Sequence, residues 1–205
     1  EGMPRSARID AADAVHHIRD TMDNVCLVLV DLQNDYFPGG NMPLVGIEEA
    51  ASNAQRMLNK FRALKLPVIH VQHVSTRPGA TFFLRDTTGA AINQTVAPHS
   101  HEVVIIKNYP NSFRDTSLLE TLRDVKSESL IVCGAMTHMC IDATTRAAFD
   151  LGFACTVSHD ACATKALKFR EVTVKASQVH TAFMAALSGV YANVISTDEI
   201  LRKMP

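Results

Sequence analysis

The chain has no tryptophan, and its 205 residues include only 9 glycines and 8 prolines. That scarcity excludes collagen-like and proline-rich low-complexity architectures. No Lys/Arg block stands out either, since 20 basic residues are set against 21 acidic ones for a formal charge of -1. Without a phosphate-tracking stripe or a polybasic segment, neither nucleic acid nor an anionic membrane is an expected partner. No apolar run approaches the ~20 residues that cross a bilayer. The N-terminal Glu1-Gly2-Met3-Pro4-Arg5-Ser6 has no apolar stretch of the secretory kind. The five cysteines, Cys26, Cys133, Cys140, Cys155 and Cys162, are odd in number and form no Cys-x-x-Cys pair. A disulfide scaffold is therefore disfavoured, and reduced thiols in a cytoplasmic protein are the expectation.

What the chain does have is a large apolar fraction, 47%, with 20% charged residues. That balance suits one ordinary core, so residues 1–205 read as a single domain, with 1–21 as an N-terminal extension or helix. Val25–Val30 is apolar without alternation, as in a strand covered on both faces. Ile47 to Leu64 carries one helical stripe. Further strands are expected at Pro67–Val71, Val103–Ile106, Leu130–Cys133, Ala154–Val157 and Val194–Ile195. Between them, helices are expected from an N-cap at Thr116, over His138–Asp150 with a stop at Gly152, over Lys168–Tyr191, and from Thr197. This alternation predicts an α/β fold, a three-layer α/β/α Rossmann-like arrangement on a mostly parallel six-stranded sheet. Residues 75–102 are a long irregular loop, of the kind that often carries function.

In such folds ligands sit beyond the carboxyl ends of the strands. Three segments there carry chemistry: Asp31-Leu32-Gln33-Asn34-Asp35-Tyr36, Lys107-Asn108-Tyr109-Pro110-Asn111-Ser112-Phe113, and Gly134-Ala135-Met136-Thr137-His138-Met139-Cys140. An acid, an ammonium and a thiol thus meet at one sheet edge. A helix start and the Lys107 charge would favour the Cys140 thiolate, and Asp31 could take its proton. Singly, each has an ordinary alternative: a turn-forming Asp, a solvated Lys, a packed Cys.

Together the segments resemble the signature of the isochorismatase-like cysteine hydrolases, whose members include nicotinamidases, N-carbamoylsarcosine amidases and isochorismatases. The likeness covers about residues 22–200 and extends to Asp160-Ala161 after the fifth strand. It implies a catalytic triad of Asp31, Lys107 and Cys140. It also implies a cis peptide between Ala135 and Met136, with the N–H groups of Met136 and Cys140 as oxyanion hole. Gln33, Phe37, Tyr109, Phe113, Ala135, Thr137 and His138 are the expected substrate-binding residues. The expected reaction is hydrolysis of a C–N bond in a small amide or carbamoyl compound, with no cofactor and no metal. Relatives usually form dimers or tetramers, so a homo-oligomer is expected.

Departures from the pattern sharpen this reading. Tyr36 stands in place of the usual Phe and adds a hydroxyl near the pocket, and Ala135 replaces Val. The Asp-x-His of metal-binding nicotinamidases is replaced by His70-Val-Gln72-His73-Val74-Ser75. His70 and His73 would point to opposite faces of a strand, and His99-Ser100-His101 has no evident third ligand. Phe82 and Phe83 could line the pocket or anchor the long loop. His180 reads as a satisfied core histidine, Glu171 and Lys175 as an i, i+4 pair on a helix, and the four other cysteines as packing. Two alternatives stay open: isochorismatase-type vinyl-ether hydrolysis without a nucleophile, and a non-catalytic ligand-binding or thiol-sensing module.

Overall fold

The computed structural model describes residues 24–205. The expected N-terminal extension or helix at 1–21 lies outside them. Eight strands and five α-helices alternate: β1 Val25–Val30, α1 Ile47–Ala63, β2 Val68–His73, β3 Val103–Lys107, α2 Leu118–Asp124, β4 Ser129–Ala135, α3 Asp142–Asp150, β5 Ala154–Ala163, β6 Leu167–Phe169, β7 Val172–Val174, α4 Ala176–Ser188, β8 Asn193–Ile195 and α5 Thr197–Lys203. Six strands form one sheet in the order β3-β2-β1-β4-β5-β8. Every pairing in it is parallel. This is the expected α/β sheet, and no described helix is long and apolar enough to cross a membrane.

The core divides as the β1 sequence requires. Side chains alternate across a strand, and both faces of β1 are covered. Val25, Leu27 and Leu29 enter one cluster, with Ala54, Met57, Leu58 and Phe61 of α1 and Ile200 of α5. Cys26, Val28 and Val30 enter the other, with Leu118 and Leu122 of α2, Ala148 of α3, and Met184 and Leu187 of α4. Helices on both faces make three layers.

From β1 the chain steps outward to β2 and β3, then returns to place β4 on the other side of β1. The β1–β4 boundary is thus the switch point where such sheets open a crevice. Close approach there depends on Gly134, at φ 126°, because a Cβ would collide with the Val30 carbonyl.

Three local expectations change. The helix before β4 starts one residue later than expected, with Ser117 in the N-cap position but making no side-chain cap. The Thr116 hydroxyl accepts from Leu118 N at 3.3 Å and donates to the Ser112 carbonyl at 2.6 Å. The helix expected over Lys168–Tyr191 is only Ala176–Ser188, because an antiparallel hairpin of β6 and β7 precedes it. Alternating Leu167-Lys168-Phe169 and β-branched Val172-Thr173-Val174 suit strands, and Arg170 turns the chain at φ 53°. Glu171 and Lys175 therefore share no helix: one lies in the hairpin turn, the other is the N-cap of α4. Finally, the segment after β4 opens as a π-helical turn, Thr137–Ile141, before α3.

Candidate active site

Asp31 follows β1 directly, with a left-handed backbone at φ 53° and its N–H bonded to the Val71 carbonyl at 3.0 Å. Lys107 ends β3, two strands away, and its side chain crosses the end of β2 to reach Asp31. Its Nζ lies 2.7 Å from Asp31 Oδ2, and neither side chain is exposed. The same ammonium donates to Cys140 Sγ at 3.2 Å and to the Tyr109 carbonyl at 3.0 Å. Cys140 occupies the π-helical turn after β4 and is buried. Residues drawn from three strand ends thus meet around one ammonium at the switch point. The Ala135–Met136 peptide leading into the turn is cis.

Burial would lower the Lys107 pKa, yet the Asp31 and Cys140 charges raise it, so it remains an ammonium. Cys140 behaves otherwise than the sequence suggests. Burial, then the Asp31 charge, push its pKa above the ordinary thiol value, against the opposing pull of Lys107. Cys140 is therefore a protonated thiol at neutral pH. Neither Asp31 oxygen receives a hydrogen bond from an N–H or O–H donor among the described residues, Oδ2 meeting Lys107 as an ion pair, and the carboxylate lies beside the Cys140 thiol. Cys26, Cys155 and Cys162 are pushed up to about 12 by burial, and Cys133 is raised as well. All five cysteines are buried, so company and not exposure distinguishes Cys140.

The other residues of the Asp31 segment fasten the long loop. Gln33 Nε2 donates to the His73 and Ala90 carbonyls at 2.8 and 2.6 Å, while its Oε1 accepts from His73 N at 2.7 Å. That amide, expected to meet substrate, is spent on backbone. Asn34 donates to the Thr88 carbonyl at 2.9 Å and accepts from Asn93 at 2.9 Å. Asp35 accepts from Phe83 N at 2.6 Å and from Asn41 N and Nδ2 at 3.1 and 2.8 Å. Gly89 passes so close to Asp35 that a Cβ would strike its carboxylate. Phe83 is buried against Tyr36, centroids 4.6 Å apart, so it anchors the loop, while Phe82 packs 5.0 Å from it and stays half-buried.

The remaining expected binding residues divide. Phe37 is half-buried against the α1-side cluster, and Ala135 is wholly buried in it. Phe113 stacks on Phe153 at 6.2 Å. The Tyr109 ring lies under the Arg114 guanidinium, 3.7 Å from its centroid. Thr137 is buried, its hydroxyl 3.3 Å from the Ala163 carbonyl and 3.0 Å from Nδ1 of His180, which is half-buried and not the core histidine expected. His138 meets Thr164 Oγ1 at 2.6 Å and is half-buried.

One neighbour was not anticipated. His73 Nδ1 lies 3.1 Å from Lys107 Nζ, and a His73 ring nitrogen, an Asp31 oxygen and Cys140 Sγ lie within 4.8 Å of one another. The only sequence signal is its place at the carboxyl end of β2. His70, three residues earlier, points elsewhere, to Glu102 Oε2 at 3.0 Å. Glu102 also supplies the third donor that His99 and His101 lacked, but its carboxylate is committed to Arg62, His70 and the His99 N–H.

A family model described as the isochorismatase domain matches residues 25–199. The isochorismatase family protein YddQ of Bacillus subtilis is 48% identical over 176 residues, which cover 86% of this chain and 98% of that protein. Nicotinamidase 3 of Arabidopsis thaliana is 26% identical over 190 residues, 87% of each chain. Among solved structures, one described as an isochorismatase hydrolase from Oleispira antarctica matches with a TM-score of 0.85 and 52% identity. It covers 89% of this chain and 98% of that one.

Proposed function

Because the chain belongs to the isochorismatase family, we propose that it hydrolyses a C–N bond of a small amide or carbamoyl compound through a Cys140 thioester. The observation that carries this reading is one buried ammonium in contact with both a carboxylate and a thiol, at 2.7 and 3.2 Å. Resemblance to a nicotinamidase favours the amide among C–N substrates.

Cys140 Sγ attacks the substrate carbonyl carbon while its proton passes to Asp31. The oxygen of the tetrahedral intermediate takes the negative charge, held by the backbone N–H groups of Met136 and Cys140, each worth about 3–4 kcal/mol in such sites. On collapse the C–N bond breaks, and Asp31 returns its proton to the leaving nitrogen. Water then attacks the thioester carbonyl, giving its proton to Asp31, and that proton restores the Cys140 thiol as the C–S bond breaks. Lys107 stays charged throughout. It holds the Asp31 carboxylate in place and stabilises the sulfur as thiolate character develops. With Cys140 in the triad, acyl transfer is favoured over vinyl-ether hydrolysis.

The test is ammonia or amine release from a panel of small amides and carbamoyl compounds, for the unaltered protein, Cys140→Ala and Asp31→Asn. Both variants are expected to lose turnover, with an acyl group on Cys140 visible by mass spectrometry in quenched reactions. Turnover that survives Cys140→Ala removes the thioester from the mechanism.

A further inference from the structure

Lys107 must reach from β3 to Asp31 beyond β1, a span of two strand spacings, ~9–10 Å, across the end of the intervening strand. The residue at that end is His73, register partner of Lys107 in the β2–β3 pair. Its backbone is gripped on both polar atoms by Gln33, at 2.7 Å on the N–H and 2.8 Å on the carbonyl. Its ring lies against the buried loop anchor Phe83, centroids 5.8 Å apart. Such a fixed imidazole leaves Nδ1 3.1 Å from the lysine nitrogen.

A charged lysine offers three N–H donors and no acceptor. Lys107 Nζ makes three hydrogen-bond contacts with them, to the Tyr109 carbonyl, His73 Nδ1 and Cys140 Sγ, and faces Asp31 Oδ2 as an ion pair. His73 can take part only as an acceptor, so Nδ1 is bare and the proton sits on Nε2. We infer that His73 is a positioning residue for Lys107: its neutral imidazole holds the ammonium over the end of β2, and its protonation releases it. This rests on the triad reading above and adds a pH gate to it.

The groups facing His73 are Asp31 from β1, Lys107 from β3 and Cys140 from the turn after β4, with Tyr36 behind the Phe83 ring. Burial is the largest influence and lowers its pKa below 6.5; Asp31 opposes this and Lys107 reinforces it. The ring is therefore neutral at pH 7. Below its pKa it gains a second positive charge beside the ammonium, and Nδ1 stops accepting. Activity is full above that pKa and declines as pH falls through it.

Two measurements test the inference, one without any substrate. In a long-range 1H–15N spectrum of 15N-histidine-labelled protein, the signals lost in His73→Asn identify the residue. At pH 7 they are expected to show a bare Nδ1 and a protonated Nε2, titrating below 6.5. A protonated Nδ1 or an imidazolium at pH 7 overturns the proposal, whatever the enzyme's reaction proves to be. In turnover, His73→Leu is expected to lower kcat about 10–100-fold, the worth of a hydrogen bond to a charged group, with little change in KM. His73→Asn places an amide oxygen near the Nδ1 position and cannot titrate. It is expected to recover most of kcat and to lose the wild-type decline at acid pH. A wild-type acid limb in His73→Asn, or unaltered kcat in His73→Leu, refutes the gate. Absence of amide turnover in the unaltered protein counts instead against the proposed reaction.

Discussion

Two charged clusters stand at opposite ends of β3, one partly exposed and one wholly buried. At its start, Glu102 accepts from Arg62 Nε and Nη2 at 2.7 Å each and from His99 N at 2.8 Å, and it meets His70 Nε2 at 3.0 Å. At its end, Lys107 faces Asp31 at 2.7 Å, and the second Asp31 oxygen has no N–H or O–H donor among the described residues. Similar ingredients, a carboxylate, a cation and a histidine, are spent differently. Burial works to raise the Glu102 pKa, but the Arg62, His99 and His70 contacts bring it down to about 2. A carboxylate so committed has little capacity to take a proton. The Asp31 carboxylate is far less committed, and it lies beside a thiol that burial keeps protonated. Saturation marks the cluster that ties the fold; incompleteness marks the one suited to chemistry.

Removing the cation from the incomplete cluster is expected to have the largest effect. Lys107→Met leaves the Asp31 charge buried and unpaired, which destabilises by about 3–5 kcal/mol. Turnover per folded molecule is expected to fall by roughly 10²–10³-fold or more, because the thiolate loses its counter-charge as it forms. Urea denaturation and turnover on the same samples measure both losses. A variant that keeps turnover per folded molecule would erase the distinction between the clusters.

The fold was largely legible because each central strand is a short apolar run whose faces are both covered. Val25–Val30 is found over the expected residues, and the segments after β1, β3 and β4 meet at the switch point. What could not be read depends on contacts between residues distant in sequence. His73 joins the site through a lysine 34 positions away, and nothing local marks it. The raised Cys140 thiol reflects burial, which spacing does not report; charge and helix placement alone argued for the opposite direction. The β6–β7 hairpin was missed for a local reason. Apolar residues at 167, 169, 172 and 174 fit a helical stripe nearly as well as two three-residue strands. Its left-handed turn is made by Arg170, without the glycine that normally signals one.

Loss of the saturated cluster's carboxylate is expected to cost stability and spare the chemistry. The lowering of Glu102 from 4.5 to about 2 stabilises the fold at neutral pH by about 1–2 kcal/mol, less than the full shift because solvent screens this partly exposed cluster. Glu102→Gln is expected to lose most of that while keeping kcat per folded molecule. The pH dependence has a definite sign. A depressed carboxylate stabilises fully above its unfolded value and loses that contribution as protonation reaches the folded value. The unaltered protein should therefore weaken as pH falls from about 4.5 towards 2, and Glu102→Gln should lack that part of the slope. Equal acid slopes in denaturation series would show that Glu102 is not the tie.

The smallest effect is expected at His70, and it tests whether the first cluster is saturated at all. His70 is one of three groups presented to Glu102, and its Nδ1 is buried with no hydrogen-bond partner among the described residues. Burial lowers its pKa, against the raising influence of Glu102, so the ring adds hydrogen bonding more than charge. Replacing it by Leu removes one favourable contact and one unpaired polar atom, each worth roughly 1–3 kcal/mol in opposite directions. The two nearly offset, since Arg62 and the His99 N–H still hold the carboxylate. His70→Leu is thus expected to change unfolding free energy by less than about 1 kcal/mol and to leave turnover unaltered. A larger loss would mean that Glu102 depends on the imidazole, and that both clusters are poised near incompleteness.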